Sequence, residues 1–102
     1  PKIPLEFIVH KQTQATAELF GFGDRGVIAP GYRADLNVID HERVQVENPV
    51  MHHDLPAGGK RLLQRSVGYD ATICNGVVTY RDGVDTGARP GRLVRGARPA
   101  PA

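Results

Sequence analysis

Residues 23–40 read GDRGVIAPGYRADLNVID, and this stretch decides what kind of chain follows. Val27 and Ile28 suggest a short strand, Pro30-Gly31 a turn, and Ala34–Ile39 a second strand. Glycine directly after proline suits a type II turn, whose third position needs a positive φ angle. A run of this kind belongs to a small antiparallel β unit.

Upstream, the grammar is helical. Leu5, Ile8, Val9, Gln12, Ala15, Thr16 and Leu19 recur at spacings of three and four, which places a mostly apolar stripe along one side. Pro4 suits a first helical position, where its missing N–H is no loss. Gly21 and Gly23 supply the stop. The expectation is one amphipathic helix of about sixteen residues, whose stripe needs a partner to cover it.

Downstream, Val44, Gln45 and Val46 suggest a further short strand, and residues 49–60 (PVMHHDLPAGGK) read as a long loop. Asn75-Gly76 marks a two-residue type I′ hairpin, because both turn positions need φ above zero. Strict alternation from that turn puts Tyr69, Ala71, Ile73, Val78 and Tyr80 on one face, assigned to the core. Thr72, Thr79 and an Asp70–Arg81 pair fall on the wetter face. The last fourteen residues, RPGRLVRGARPAPA, carry four arginines and no acid. Removing those four of 13 basic residues leaves nine against 11 acids, so the basicity belongs to this tail. Its Pro and Gly content with no periodicity predicts an extended or disordered end.

Composition narrows the function classes. The chain has 102 residues, 40% hydrophobic and 24% charged, ordinary values for one globular domain. No apolar run reaches the ~18 residues that a membrane helix needs. No basic-then-apolar leader is visible, and the single cysteine, Cys74, cannot form an internal disulfide. A cytoplasmic location is therefore expected.

Chemistry-bearing residues are few. His52-His53-Asp54 invites a metal reading, but adjacent histidines on extended backbone point to opposite sides, and a catalytic zinc wants three protein ligands. Ser66, the one serine, lies outside any G-x-S-x-G elbow, and Cys74 has no histidine near it in sequence. Gly21-x-Gly23 and Gly58-Gly59-Lys60 lack Walker or Rossmann spacing. Phe7, Phe20, Phe22, Tyr69 and Tyr80 fit packing better than base stacking. The residues by themselves describe a scaffold without an assembled active site.

The order of features resembles the C-terminal end of a metal-dependent amidohydrolase. The resemblance is carried by ATAELFGFGDRG, by the pattern Gly26-x-Ile28-x-x-Gly31-x-x-Ala34-Asp35-Leu36-x-Val38-x-Asp40, and by ATICNGVVTYRDG. More narrowly, HDLPAGGKRLLQRSVGYDATI and TGARPGRLVRG are similar to the N-acyl-D-amino-acid deacylase (D-aminoacylase) branch. The resemblance implies an α+β fragment: residues 1–22 as the last helix of a TIM-type barrel, residues 23–88 as a portion of a small antiparallel β-sandwich with the 49–60 loop, and residues 89–102 as an Arg/Pro-rich tail. Ala34 then serves close packing and Asp35 bonds backbone N–H groups of the Pro30-Gly31 turn. Thr16 stands where such chains often carry proline, and should leave the helix straighter.

The implied parent uses zinc or another divalent metal, whose bound hydroxide attacks an N-acyl amide and releases a carboxylate and a D-amino acid. Its ligands include an H-x-H pair at barrel strand ends, and this chain contains no H-x-H. No catalytic residue, metal ligand or cofactor site is therefore expected in this chain, which alone should be inactive. His53, Asp54 and Lys60, in the long loop, are candidates for reaching the substrate mouth. The implied partner is the remaining barrel, in the same or a separate chain. An oligomer is compatible with this, and neither a membrane nor a nucleic acid is expected. The alternative reading is a stand-alone β interaction module whose basic tail recruits an acidic partner.

Overall fold

The computed structural model describes residues 2–102. The chain forms two compact units. The first takes the chain up to Asp35, then Cys74–Val77 and Arg89–Ala102, and the second takes Leu36–Ile73 and Val78–Ala88.

In the first unit the helical region is interrupted. Helix α1 spans Leu5–Gln12 and α2 spans Gln14–Leu19, separated by Thr13 at φ −119°, ψ −84°. The single straight helix expected from periodicity is thus corrected, and the threonines explain why. Thr13 Oγ1 donates to the Val9 carbonyl (2.6 Å), and Thr16 Oγ1 to the Lys11 carbonyl (2.8 Å). Hydroxyls that compete for helix carbonyls bend or break the ladder. Pro4 lies just outside the first turn as the N-cap, one position earlier than expected. The stop at Gly21 is as read. Gly21 N–H donates to the Glu18 carbonyl (3.1 Å) and Phe22 N–H to the Ala17 carbonyl (2.8 Å), the paired bonds of a Schellman motif.

Val27 lies in a bend and Ile28 in irregular chain instead of a strand, with Ile28 88% exposed. The turn after them holds: Tyr32 N–H donates to the Ala29 carbonyl (3.2 Å) and Gly31 has φ +88°. Of the two alternatives read for the tail, extended or disordered, the structure shows an extended segment. Gly23 N–H donates to the Arg98 carbonyl (2.9 Å) and Arg98 N–H to the Gly21 carbonyl (2.8 Å), making an isolated parallel bridge at Phe22 and Arg98. A Cβ on Gly23 would lie 2.8 Å from the Arg98 carbonyl oxygen, so glycine is what permits this approach.

The strands are β1 (Leu36–Ile39), β2 (Gln45–Val46), β3 (Val50–His52), β4 (Arg61–Leu63), β5 (Ser66–Val67), β6 (Tyr69–Cys74), β7 (Val77–Arg81) and β8 (Val84–Asp85). One sheet runs β1-β6-β7-β8, and β2–β5 and β3–β4 form separate antiparallel pairs. The two pairs are successive parts of one arm. Gln45 faces Val67, Val46 faces Ser66, Glu47 N–H donates to the Arg65 carbonyl (2.8 Å), and Val50 then faces Leu63. The expected 49–60 loop is therefore shortened: Val50–His52 pair with β4, and residues 53–60 remain between the two strands. The α+β class with antiparallel strands holds.

Within the sheet, Leu36 faces Ile73 and Val38 faces Ala71, but Ile39 faces Tyr69, so Asp70 is skipped. This irregularity breaks the strict alternation expected for β6. No Asp70–Arg81 ion pair is present among the described residues; Asp82 N–H instead donates to the Asp70 carbonyl (2.9 Å). The face assigned to the core stays open, with Tyr69 36% and Tyr80 46% exposed.

Among the described residues Ala17 is the one buried residue with an apolar side chain, beside a buried Gly68, and the apolar stripe of the helical region faces solvent. The chain exposes 8380 Å², against about 5,700 Å² for a folded monomer of its mass. No helix among the described residues is long and apolar enough to cross a membrane.

Candidate functional site

The three mouth candidates lie at the end of the β3–β4 arm. His52 faces Arg61 as the last paired position, and the chain then passes through His53, Asp54 and a single 3₁₀ turn at Pro56–Gly58 before Lys60. Proline starts that turn, Ala57 takes a left-handed conformation (φ +58°), and Gly59 N–H returns to the Pro56 carbonyl (3.1 Å). Leu55 N–H donates to the Gly59 carbonyl (3.3 Å), which narrows the base of the loop.

Asp54 is engaged. Arg61 Nε donates to Asp54 Oδ1 (2.9 Å) and an Arg61 Nη donates to Oδ2 (2.7 Å), a two-point clasp across the loop base. Those hydrogen bonds hold the Asp54 carboxyl below its ordinary pKa and push the Arg61 guanidinium above its own. His53 and Lys60 are exposed and carry no hydrogen bond or ion pair to described residues. The structure thus holds all three candidates on one short loop, with Asp54 a structural clasp and the other two free to meet something else. Arg61 was missed in the sequence because the long-loop reading left it without a cross-strand position.

Two other groupings can be judged on geometry. In the second unit, Glu47, Arg65, Ser66, Tyr69, Thr72 and Tyr80 line an open depression of about 370 Å³. Ser66 has no histidine beside it there, so no base is placed to activate its hydroxyl. In the first unit, segment 33–35 secures the hairpin turn: Asn75 N–H donates to Asp35 Oδ1 (2.8 Å), Gly76 N–H to the Ala34 carbonyl (3.0 Å), and Arg33 to Asn75 Oδ1 (3.2 Å). Asp35 therefore bonds a backbone N–H of the Asn75-Gly76 turn, not of the Pro30-Gly31 turn as expected. No three His, Cys, Asp or Glu side chains among the described residues come together where they could hold a metal ion. The residues in hand do not fit a metal centre.

The chain is similar to a D-aminoacylase of Alcaligenes xylosoxydans xylosoxydans, 32% identical over 91 residues, which cover 89% of this chain and 17% of that enzyme. No solved structure matches it significantly. The profile of the amidohydrolase family matches residues 1–80, and with a relative of this identity near the D-aminoacylase branch, the chain belongs to the amidohydrolase family.

Proposed function

We propose that this chain is the C-terminal structural portion of a metal-dependent enzyme that hydrolyses N-acyl-D-amino acids or related amides. In this reading α1 and α2 correspond to the end of a TIM-type barrel, and the strands to part of a small β-sandwich beside it. The divalent metal and the groups that activate water belong to the barrel. The chain contributes no step of the hydrolysis by itself; it covers and braces, and its arm carries His53 and Lys60 toward the substrate mouth.

The observation that carries this reading is the surface. A self-sufficient domain of this size buries a core, yet among the described residues Ala17 is the one apolar side chain buried, while Leu5, Phe7, Val9, Leu19 and Phe20 stand at 49–81% exposure. The excess over the surface expected for a folded monomer is about 2,700 Å², the scale of a permanent interface. The missing cover is best supplied by the polypeptide that bears the catalytic barrel. The relation to a D-aminoacylase supports the substrate class.

The test is reconstitution. The 102-residue chain alone should show no hydrolysis of N-acetyl-D-amino acids with added zinc. Joined to, or mixed with, an amidohydrolase barrel of its own source, it should restore a cooperative melt and activity. Metal-dependent amide cleavage by the isolated chain would overturn the proposal. A stable monomer that binds acidic partners in a salt-sensitive way would instead support an interaction module.

A further inference from the structure

In the first unit the docked tail and residues 25–35 border a cavity of about 260 Å³, whose walls include Arg25, Arg33, Arg92 and Arg98. Asp35 is also in the wall, so cationic groups outnumber anionic ones there. Asp24 pairs with Arg25 (3.1 Å) and Arg33 (3.3 Å), and Asp35 pairs with Arg25 (3.4 Å). Those contacts occupy Nε and one Nη on Arg25. On Arg33, Nε and the Nη turned to Asn75 are likewise used, so each side chain keeps a second Nη. Arg92 has no hydrogen bond or ion pair to described residues, and Arg98 donates only to the carbonyl of its neighbour Ala97, at 3.4 Å. Four guanidinium groups thus border one small cavity with two carboxylates to offset them. Like charges gathered in this way are unfavourable unless an anion joins them.

We infer that this cavity binds a small dianionic oxyanion, a phosphate or a short dicarboxylate. Planar guanidinium forks match both, since each offers pairs of N–H donors to pairs of oxygens. The volume falls below the ~300–1,000 Å³ of sites that take drug-sized ligands, so a nucleotide is too large. The site is separate from the hydrolytic reading above and does not depend on it. It also explains why an arginine-rich tail is held against the chain: Gly23 and Gly21 fix Arg98 through backbone bonds, leaving its guanidinium for the ligand.

Arginine footprinting tests this on the full polypeptide. Phenylglyoxal modification is followed residue by residue by peptide mass, with inorganic phosphate in one arm and succinate in the other. Chloride at matched ionic strength is the reference. Saturable protection of Arg92 and Arg98, with Arg95 unprotected, is expected in at least one arm, and the stronger arm identifies the ligand type. Arg92→Gln should raise the concentration needed to protect Arg98 by about tenfold, whereas Arg95→Gln should leave it unchanged. Arg92 has no internal bonds to lose, and an unchanged near-ultraviolet circular dichroism spectrum checks that the fold persists. Equal protection of Arg95, or no protection beyond chloride in either arm, overturns the inference.

Discussion

The hairpin of β6 and β7 and the arm that ends in β3 and β4 reverse the chain by different means. The first turns in two residues, Asn75 (φ +50°) and Gly76 (φ +79°), and the turn type sets its own geometry. The second closes around eight residues, 53–60, and draws its base together with an ion pair between Asp54 and Arg61. A tight turn is a local property of two residues. A clasp joins side chains seven positions apart and exists only once the strands have paired.

Five changes would break or sharpen this contrast. The largest effect belongs at the root of the arm. Gly68 has φ +93°, and a Cβ there would lie 2.5 Å from the Val44 Cα and 2.6 Å from its nitrogen. Gly68→Ala should therefore lower stability by more than about 2 kcal/mol, read as a drop in the denaturation midpoint. A neutral result would mean that the arm does not pack at its root as described.

Next comes the support of the tight turn. Asp35→Ala removes the acceptor of the Asn75 N–H and should cost about 1–2 kcal/mol, with faster amide exchange at Asn75. Gly76→Ala, in open space, meets only backbone strain and should cost about 1 kcal/mol. If Gly76→Ala proved worse than Asp35→Ala, the turn would owe more to its own geometry than to segment 33–35.

At the end of the arm, effects should move from stability to function. Lys60→Ala in the complete enzyme should raise KM for an N-acyl-D-amino acid about three-fold to tenfold with little change in kcat, as expected for loss of substrate binding alone. An unchanged KM would remove Lys60 from the mouth. The smallest change is Arg61→Gln. Because Asp54 titrates below its unfolded value, the clasp's contribution is present above the ordinary carboxylate range and is lost as pH falls through the depressed folded value. Carboxyl NMR titration should show the Asp54 pKa rising back toward its ordinary value in Arg61→Gln, with the melt almost unmoved, since exposed pairs contribute little.

Where the sequence was readable, a single residue type settled the backbone by itself. Asn75-Gly76, Gly21 and Pro30-Gly31 each require conformations that few other residues allow, and all three took them. Where it misled, a partner decided. Val27 and Ile28 look like a strand but no ladder accepts them. Val50–His52 is hidden by the prolines and glycines around it, yet Leu62 and Leu63 give it a pairing register. The helical stripe, read as a face that needs a partner, stands exposed among the described residues.

The candidate site was half visible. His53, Asp54 and Lys60 could be named from their loop, but the role of Asp54 depended on Arg61, and the convergence of Arg92 and Arg98 with Arg25 and Arg33 depended on a tail that carries no periodic signal. By itself the sequence determined the turns, the α+β class and the family, because these rest on local backbone preference and on residue order. The tertiary structure decided the broken helix, the paired arm, the docked tail and the charge of its cavity. The arm, the tail and the cavity depend on backbone hydrogen bonds and ion pairs between residues that linear spacing does not bring together. The helix instead breaks where threonine hydroxyls bond carbonyls four and five residues back.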